Sequence, residues 1–393
     1  MQYRINEKNG EKLSVLGFGC MRFPRKGGAI DKAETEREIL KAVEAGVNYF
    51  DTAYIYPGSE EVLGEILQKN GIRDSVKIAT KLPHYFVKNR EDMEKYFRQQ
   101  CERLKTDYID YYLMHMLPDV KVWERLKSLG VLKWLEEKKK SGAIRNVGFS
   151  YHGGSGEFIR LLDAYDWDFC QIQYNYLDEN SQAGRKGLYA AAKKGMPVII
   201  MEPLRGGRLA GGLPEKAVKI FAETDNTRSP AEWALGWLFN QPEVTVVLSG
   251  MNSMEMLEEN VKTASGTEAG SFTEKEEEMF SRVVNAINRE VKVGCTGCGY
   301  CMPCPAGVDI PGSFRCLNAG ALDGYWKGIR EYVMCTTIKK EKSNASLCIK
   351  CGKCEKHCPQ GISIRKELEQ VVKTYETPLY HLAAWALKRF GGF

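Results

Sequence analysis

Apolar and polar positions in the first 290 residues follow two alternating periods. Short β-branched and aromatic runs are separated by longer stretches with apolar residues at i, i+3 and i+4. The runs predict strands over Val15–Cys20, Val47–Thr52, Val76–Lys81, Tyr108–His115, Ile144–Ser150, Phe169–Tyr174, Pro197–Glu202 and Thr245–Ser249. The stretches between them predict helices, among them Ala33–Ala45, Glu61–Gln68, Arg90–Leu104 and Val122–Lys140. Gly46, Gly142 and Gly195 stand where such helices should end. Strand and helix in regular succession predict an α/β fold, a closed (β/α)₈ TIM barrel, with a doubly wound sheet as the alternative.

After the helical stretch Glu274–Arg289 the composition turns abruptly to Cys, Gly and Pro. This predicts a barrel over residues 1–289, a small second domain over 290–377 and an amphipathic tail over 378–393. The glycine-rich segment Gly206–Gly212 follows the seventh strand and reads as either a flexible connector or a loop that folds over a ligand.

Of the 393 residues, 43% are hydrophobic and 27% charged, enough to bury a sizeable core. The net charge of +5 is spread out, and its longest basic run, Lys138–Lys140, falls on a helical face, which argues against nucleic-acid binding. No apolar stretch approaches the roughly 20 residues that span a bilayer, and Met1–Gly10 has no leader-like apolar run. The expectation is a soluble cytoplasmic protein without membrane contact.

Cysteine use changes the picture. Of thirteen cysteines only Cys20, Cys101 and Cys170 precede residue 290. The run Cys348-x₂-Cys351-x₂-Cys354-x₃-Cys358-Pro has the spacing of a bacterial ferredoxin, and Cys295-x₂-Cys298-x₂-Cys301-x₂-Cys304-Pro is one residue shorter. Two such runs predict a ferredoxin-like domain with two [4Fe–4S] clusters, in preference to structural zinc. In two-cluster ferredoxins the fourth cysteine of each run serves the other cluster. One cluster would then use Cys295, Cys298, Cys301 and Cys358, the other Cys348, Cys351, Cys354 and Cys304. Cys316 and Cys335 fit neither run and read as core thiols.

Barrels of this kind carry their chemistry where the strands end. Asp51, Lys81, His115, Ser150 and Glu202 all stand at predicted strand ends, and Tyr56 lies just past the second. Tyr56 beside an ammonium would give up its proton more readily, Asp51 would hold Lys81, and His115 would hydrogen-bond a carbonyl oxygen. Such a set can protonate a nascent alkoxide, but the hydride must come from a cofactor.

At these residues the sequence resembles the aldo-keto reductases. The likeness covers about residues 12–265 and is carried by Leu16-Gly17-Phe18-Gly19, Phe50-Asp51-Thr52-Ala53-Tyr54-Ile55-Tyr56, Thr80-Lys81, Leu113-Met114-His115, Gly148-Phe149-Ser150 and Glu258-Glu259-Asn260. It implies Tyr56 as general acid, tuned by Lys81 and Asp51, with His115 positioning the carbonyl. It further implies that Ser150 and Gln171 hold a nicotinamide carboxamide and that Gly19 and Cys20 lie near cofactor and substrate. Leu204 and Gly206 would line the pyrophosphate path, and Ser249, Gly250, Glu259 and Asn260 the adenosine end. Tyr151 replaces the family's usual Asn, and neither Gly250 nor Met256 supplies the cation that many members set against the 2′-phosphate of NADP. Unless Arg205, Arg208 or Arg228 substitutes, the cofactor NAD(P)H is slightly more in keeping with NADH than NADPH.

The implied function is reduction of an aldehyde or ketone, or the reverse oxidation of an alcohol. Two alternatives stand beside it: an electron-transfer protein joining nicotinamide to a ferredoxin or other redox partner, and a non-catalytic cofactor-sensing subunit. Clusters move one electron and hydride two, so electron transfer would call for a flavin, which no motif indicates. Tyr85, Phe86, Trp123, Tyr151, His152 and Tyr176 are candidates for an aromatic substrate pocket.

Overall fold

The computed structural model describes residues 1–152, 155–179, 182–295, 297, 299–337 and 342–381. Eight parallel strands close into a barrel in chain order: Leu16–Gly19, Tyr49–Asp51, Lys77–Leu82, Ile109–Leu117, Ile144–Tyr151, Phe169–Gln173, Val198–Met201 and Val246–Ser249. The register sets Gly19 against Asp51, Asp51 against Ala79, Lys81 against Leu113 and Ser150 against Gln171, so their ends form one rim.

The barrel interior is filled rather than open. Tyr49, Tyr111, Phe169, Ile199, Val246 and Leu248 form its packed centre. Below them, a hairpin of Tyr3–Ile5 with Lys12–Ser14 closes the N-terminal end: Asn6 donates to the Tyr111 hydroxyl, which donates to Glu11 at 2.7 Å. A plugged floor leaves only the opposite rim for a ligand.

The flanking helices bury their apolar faces on the strands. The helix Ser59–Lys69 packs on Arg90–Leu104 so closely that a Cβ at Gly64 would lie 2.3 Å from the Arg103 carbonyl oxygen. The single helix predicted over Val122–Lys140 is two, Val120–Ser128 and Val131–Lys140, parted at Gly130 with φ +87°. Gly206–Gly212 is likewise not an open connector: a 3₁₀ turn over Arg205–Gly207 leads into a short helix, Arg208–Gly211.

The chain divides into two compact units, Met1–Gly212 with Asn226–Glu276, and Leu213–Asp225 with Glu277–Phe393. This differs from the division at 289/290 drawn from composition. The helix Glu215–Thr224 packs on Glu274–Glu290 through Phe221 and Phe280, whose ring centroids are 5.8 Å apart, and Glu223 pairs with Arg282 at 2.8 Å. Neither segment contains cysteine, so no change in composition marks them. The second unit's core joins Val308, Ile310, Phe314, Cys316, Leu368 and Val371, with Cys295, Cys301, Cys304, Cys348, Cys354 and Cys358 packed against it. Cys316 is a core thiol as expected. Cys298, the Cys335 side chain and residues 382–393 of the tail lie outside the described residues. Among the described residues no helix is long and apolar enough to cross a membrane.

Candidate active site and cluster cysteines

The strand ends surround a cavity of about 570 Å³ at the C-terminal rim. Asp51, Tyr56, Lys81 and His115 all line it. Lys81 Nζ lies 2.6 Å from Asp51 Oδ1 and 2.7 Å from the Thr52 carbonyl oxygen, and Gln171 Nε2 donates to Asp51 Oδ2 at 3.1 Å. The ammonium sits 5.5 Å from the Tyr56 ring centre, and the Tyr56 and His115 rings stand edge to face at 6.3 Å. Behind Lys81, Gln100 donates to its carbonyl oxygen and to Glu60, and Glu60 also accepts from Thr80 at 2.6 Å. This network fixes the strand end from the helix side.

Burial dominates the electrostatics. It drives the Tyr56 hydroxyl well above the ordinary tyrosine range, and the Asp51 and Glu202 carboxylates push the same way. Lys81 stands where an ammonium would favour the phenolate, but without a ligand desolvation and the acids set the direction. Burial, then Lys81, His152 and His84, hold His115 far below its usual value, so its imidazole is neutral. His115 Nδ1 has no hydrogen-bond partner. Burial also raises Asp51, against the pull of Lys81.

A bulge between Met114 and Leu117 interrupts the fourth strand's pairing with the fifth, with Met116 at φ +56°. It lets the Met116 amide donate to Ser150 Oγ at 2.7 Å, tying that hydroxyl to the His115 strand.

Of the other residues named from the resemblance, Gly19, Ser150, Gln171, Leu204, Gly206, Ser249, Gly250, Glu259 and Asn260 line the same cavity. Cys20 does not; just past the first strand's end, it is buried. Gln171 Oε1 is buried and unpartnered beside Ser150, an acceptor suited to a carboxamide N–H. Asn260 donates to Ser249 Oγ at 2.9 Å, and Glu259 accepts from Ser229. These features, on a cavity of this size, fit a nicotinamide dinucleotide.

Sequence reasoning missed Arg22. It donates to the Gly206 carbonyl oxygen at 3.1 Å, and its side chain lies against Gly250. The cue was its place in Gly19-Cys20-Met21-Arg22, just past a strand end. Glu202 at φ +55° lines the cavity too. Arg205 is paired with Asp178 at 3.1 Å, and Arg228 with Glu276 at 3.2 Å while stacking on Trp233. Trp123, Tyr151 and Tyr176 are buried in the shell, not the pocket: Trp123 packs on Trp167, Tyr151 on Phe158 and Tyr176 beside Trp237.

In the second unit Cys295, Cys301 and Cys358 converge on one apolar cavity with Ile310, Phe314 and Ile364. Cys358 belongs to the second run and the other two to the first. They share this apolar lining, and the Gly297 amide lies 3.4 Å from Cys295 Sγ. Among the described residues, however, no three Cys, His, Asp or Glu side chains stand close enough together to hold a metal ion, so the case for clusters is carried by the spacing of the two runs.

Residues 15–277 match the aldo/keto reductase family, and residues 294–364 a 4Fe-4S dicluster domain. The first match spans well over half the chain, which therefore belongs to the aldo/keto reductase family. It is an NAD(P)H-dependent oxidoreductase of that type, with the dicluster domain following its barrel. Among its relatives are an L-glyceraldehyde 3-phosphate reductase of Escherichia coli, 28% identical over 67% of this chain and 87% of the relative. A 9,11-endoperoxide prostaglandin H2 reductase of Trypanosoma cruzi is 27% identical over 73% and 92%. The fold is shared with an aldo-keto reductase from Bacillus halodurans in its holo form, with TM-score 0.60, 24% identity and coverage of 72% and 96%. It is shared equally with one from Klebsiella pneumoniae in complex with NADPH, with TM-score 0.60, 21% identity and the same coverage.

Proposed function

We propose that the barrel reduces an aldehyde or ketone to the alcohol, with Tyr56 as proton donor. The observation that carries this reading is the set of Tyr56 and His115 rings standing over a buried Lys81–Asp51 pair at the cavity floor. A bound nicotinamide supplies the hydride. The neutral His115 imidazole donates a hydrogen bond to the carbonyl oxygen and orients it. Tyr56 keeps its proton until negative charge grows on that oxygen, because an alkoxide is the stronger base. Lys81 then steadies the phenolate, and Asp51 keeps Lys81 in place.

Ser150 and Gln171 would hold the carboxamide and Arg22 the pyrophosphate beside the Gly206 turn. At the adenosine end Met256 and Glu259 line the cavity where a 2′-phosphate would need a cation, and Arg228 is already paired. This supports NADH over NADPH. We assign the cysteines to two [4Fe–4S] clusters, with a structural role while the barrel turns over carbonyls. A second reading, electron exchange with a ferredoxin-type protein, is favoured by the exposure of Cys351 and of Ile349, 67% accessible, beside it.

The test is anaerobic NADH and NADPH oxidation with and without aldehydes and ketones, following the cluster absorbance, in the wild type and in Tyr56→Phe. Carbonyl-dependent oxidation, lost in Tyr56→Phe while nucleotide still binds, supports the reductase. Bleaching of the clusters by nucleotide alone would replace it with the second reading.

A further inference from the structure

An aromatic row stands beside the cavity, next to His115 but outside the residues that line it. Beyond the third strand, His84–Phe86 forms a 3₁₀ turn that Arg125 pins by donating to the His84 and Val87 carbonyl oxygens at 2.8 and 3.0 Å. His84 is buried beneath the turn, whereas Tyr85 and Phe86 are 42% and 49% exposed. Their rings are not isolated. Tyr85 lies 6.3 Å from the His115 ring and 4.7 Å from Phe86, and Phe86 lies 6.4 Å from Tyr96, so an aromatic row runs outward from the imidazole. Met21, Ile55 and Met116 line the cavity and are exposed as well. A rigid turn that holds large apolar rings in solvent next to the reacting position is matched by a flat apolar partner.

Charge decides against the alternative. Among the described residues lining the cavity the cations are Arg22 and Lys81, against Asp51, Glu202 and Glu259. Lys81 is taken by Asp51, and Arg22 lies at Gly206 and Gly250, away from the aromatic row. Just outside, Arg103 is paired with Glu60 and Glu61, and Arg125 is spent on the turn. Among the described residues that line the cavity, a phosphate on the substrate would therefore meet a net acidic set in which neither cation lies at the aromatic row.

We propose that the preferred substrate is an aldehyde or ketone with an aromatic group and no phosphate, and that Tyr85 and Phe86 receive that group; this rests on the reductase reading above. The comparison is the anaerobic holoprotein with propanal, 2-naphthaldehyde and glyceraldehyde 3-phosphate, measured for the wild type, Tyr85→Phe and Tyr85→Ala/Phe86→Ala. The expected order of kcat/KM is naphthaldehyde first, by about tenfold or more, and the phosphate last. In the double variant the naphthaldehyde-to-propanal ratio falls about tenfold, chiefly through KM, and in Tyr85→Phe it is kept. Propanal turnover with no aromatic preference, a preference for the phosphate, or an unmoved ratio in the double variant overturns the inference and leaves the reductase standing. If no carbonyl is turned over, propanal included, the reductase reading falls and this inference with it.

Discussion

Lys81 and Asp51 form a buried ion pair, Nζ to Oδ1 2.6 Å, with both side chains almost wholly shielded from water. Their attraction must offset the desolvation of two charges, and the Thr52 carbonyl and Gln171 amide complete the hydrogen bonding. The pair is thus a device for keeping a cation near Tyr56 rather than a source of stability.

Breaking one side of it should be costly in a way that removing both is not. We expect Asp51→Asn to lose about 3–5 kcal/mol, since Lys81 is left buried and unpaired. Asp51→Asn combined with Lys81→Met should regain most of that loss without regaining activity. Urea unfolding of the three proteins checks this; an Asp51→Asn variant as stable as the wild type would sink it.

The same burial sets the pH response. His115 is held neutral and Tyr56 protonated, each far on the working side of neutrality. Reduction should therefore show no limb from either group between about pH 6 and 9. A kcat/KM profile with a step near pH 6.5 that vanishes in His115→Gln would contradict the assigned states.

How far the sequence foretold this site depends on what kind of signal each part leaves. All eight strands were legible within about two residues, because buried parallel strands read as short apolar runs between helical periods. Rim polarity at Asp51, Lys81, His115 and Ser150 was legible because strand ends are. The break at Gly130 was not, since apolar spacing continues on both sides of it. Nor was the bulge at Met116, where φ +56° leaves no mark in residue type. Arg22 was hidden because an exposed arginine in a loop looks like any other. The aromatic residues split for a related reason: Trp123, Tyr151 and Tyr85 all stand at or beyond a strand's end, but only tertiary packing decides that the first two are buried in the shell while Tyr85 is exposed beside His115.

A second pH effect belongs to stability. Glu38 is fully buried, neither carboxylate oxygen has a hydrogen-bond partner, and burial, with Glu34 and Glu255 adding to it against Arg37, raises it from 4.5 to about 7. The folded state then binds this proton more tightly than the unfolded one, so Glu38's contribution to stability is full below pH 4.5 and is lost as pH rises toward 7. The loss is on the order of 1–3 kcal/mol. Glu38→Gln should abolish this slope, and parallel melting curves across that range for both proteins would show it.

Gly64 tests the helix packing that supports Lys81 from behind. A Cβ there would meet the Arg103 and Leu104 backbone at 2.3–2.6 Å, and backbone cannot swing aside as a side-chain tip can. Gly64→Ala should cost about 1–3 kcal/mol through separation of the two helices. Because Gln100 links the second of these helices to the Lys81 carbonyl, kcat should fall as well. An alanine variant with unchanged melting would show that the helices part freely.

The cluster cysteines offer the sharpest prediction, because two wirings give different results. If Cys358 joins Cys295 and Cys301, as their shared cavity suggests, the runs are crossed. Anaerobic wild type should carry about eight irons per chain and Cys358→Ser about four. Under crossed wiring, the cluster left in Cys358→Ser is the one left in Cys301→Ser, and the two should give the same paramagnetic resonance spectrum after reduction. If each run closed its own cluster, Cys358→Ser would instead match Cys351→Ser. Stoichiometric zinc in place of iron would dismiss both wirings at once.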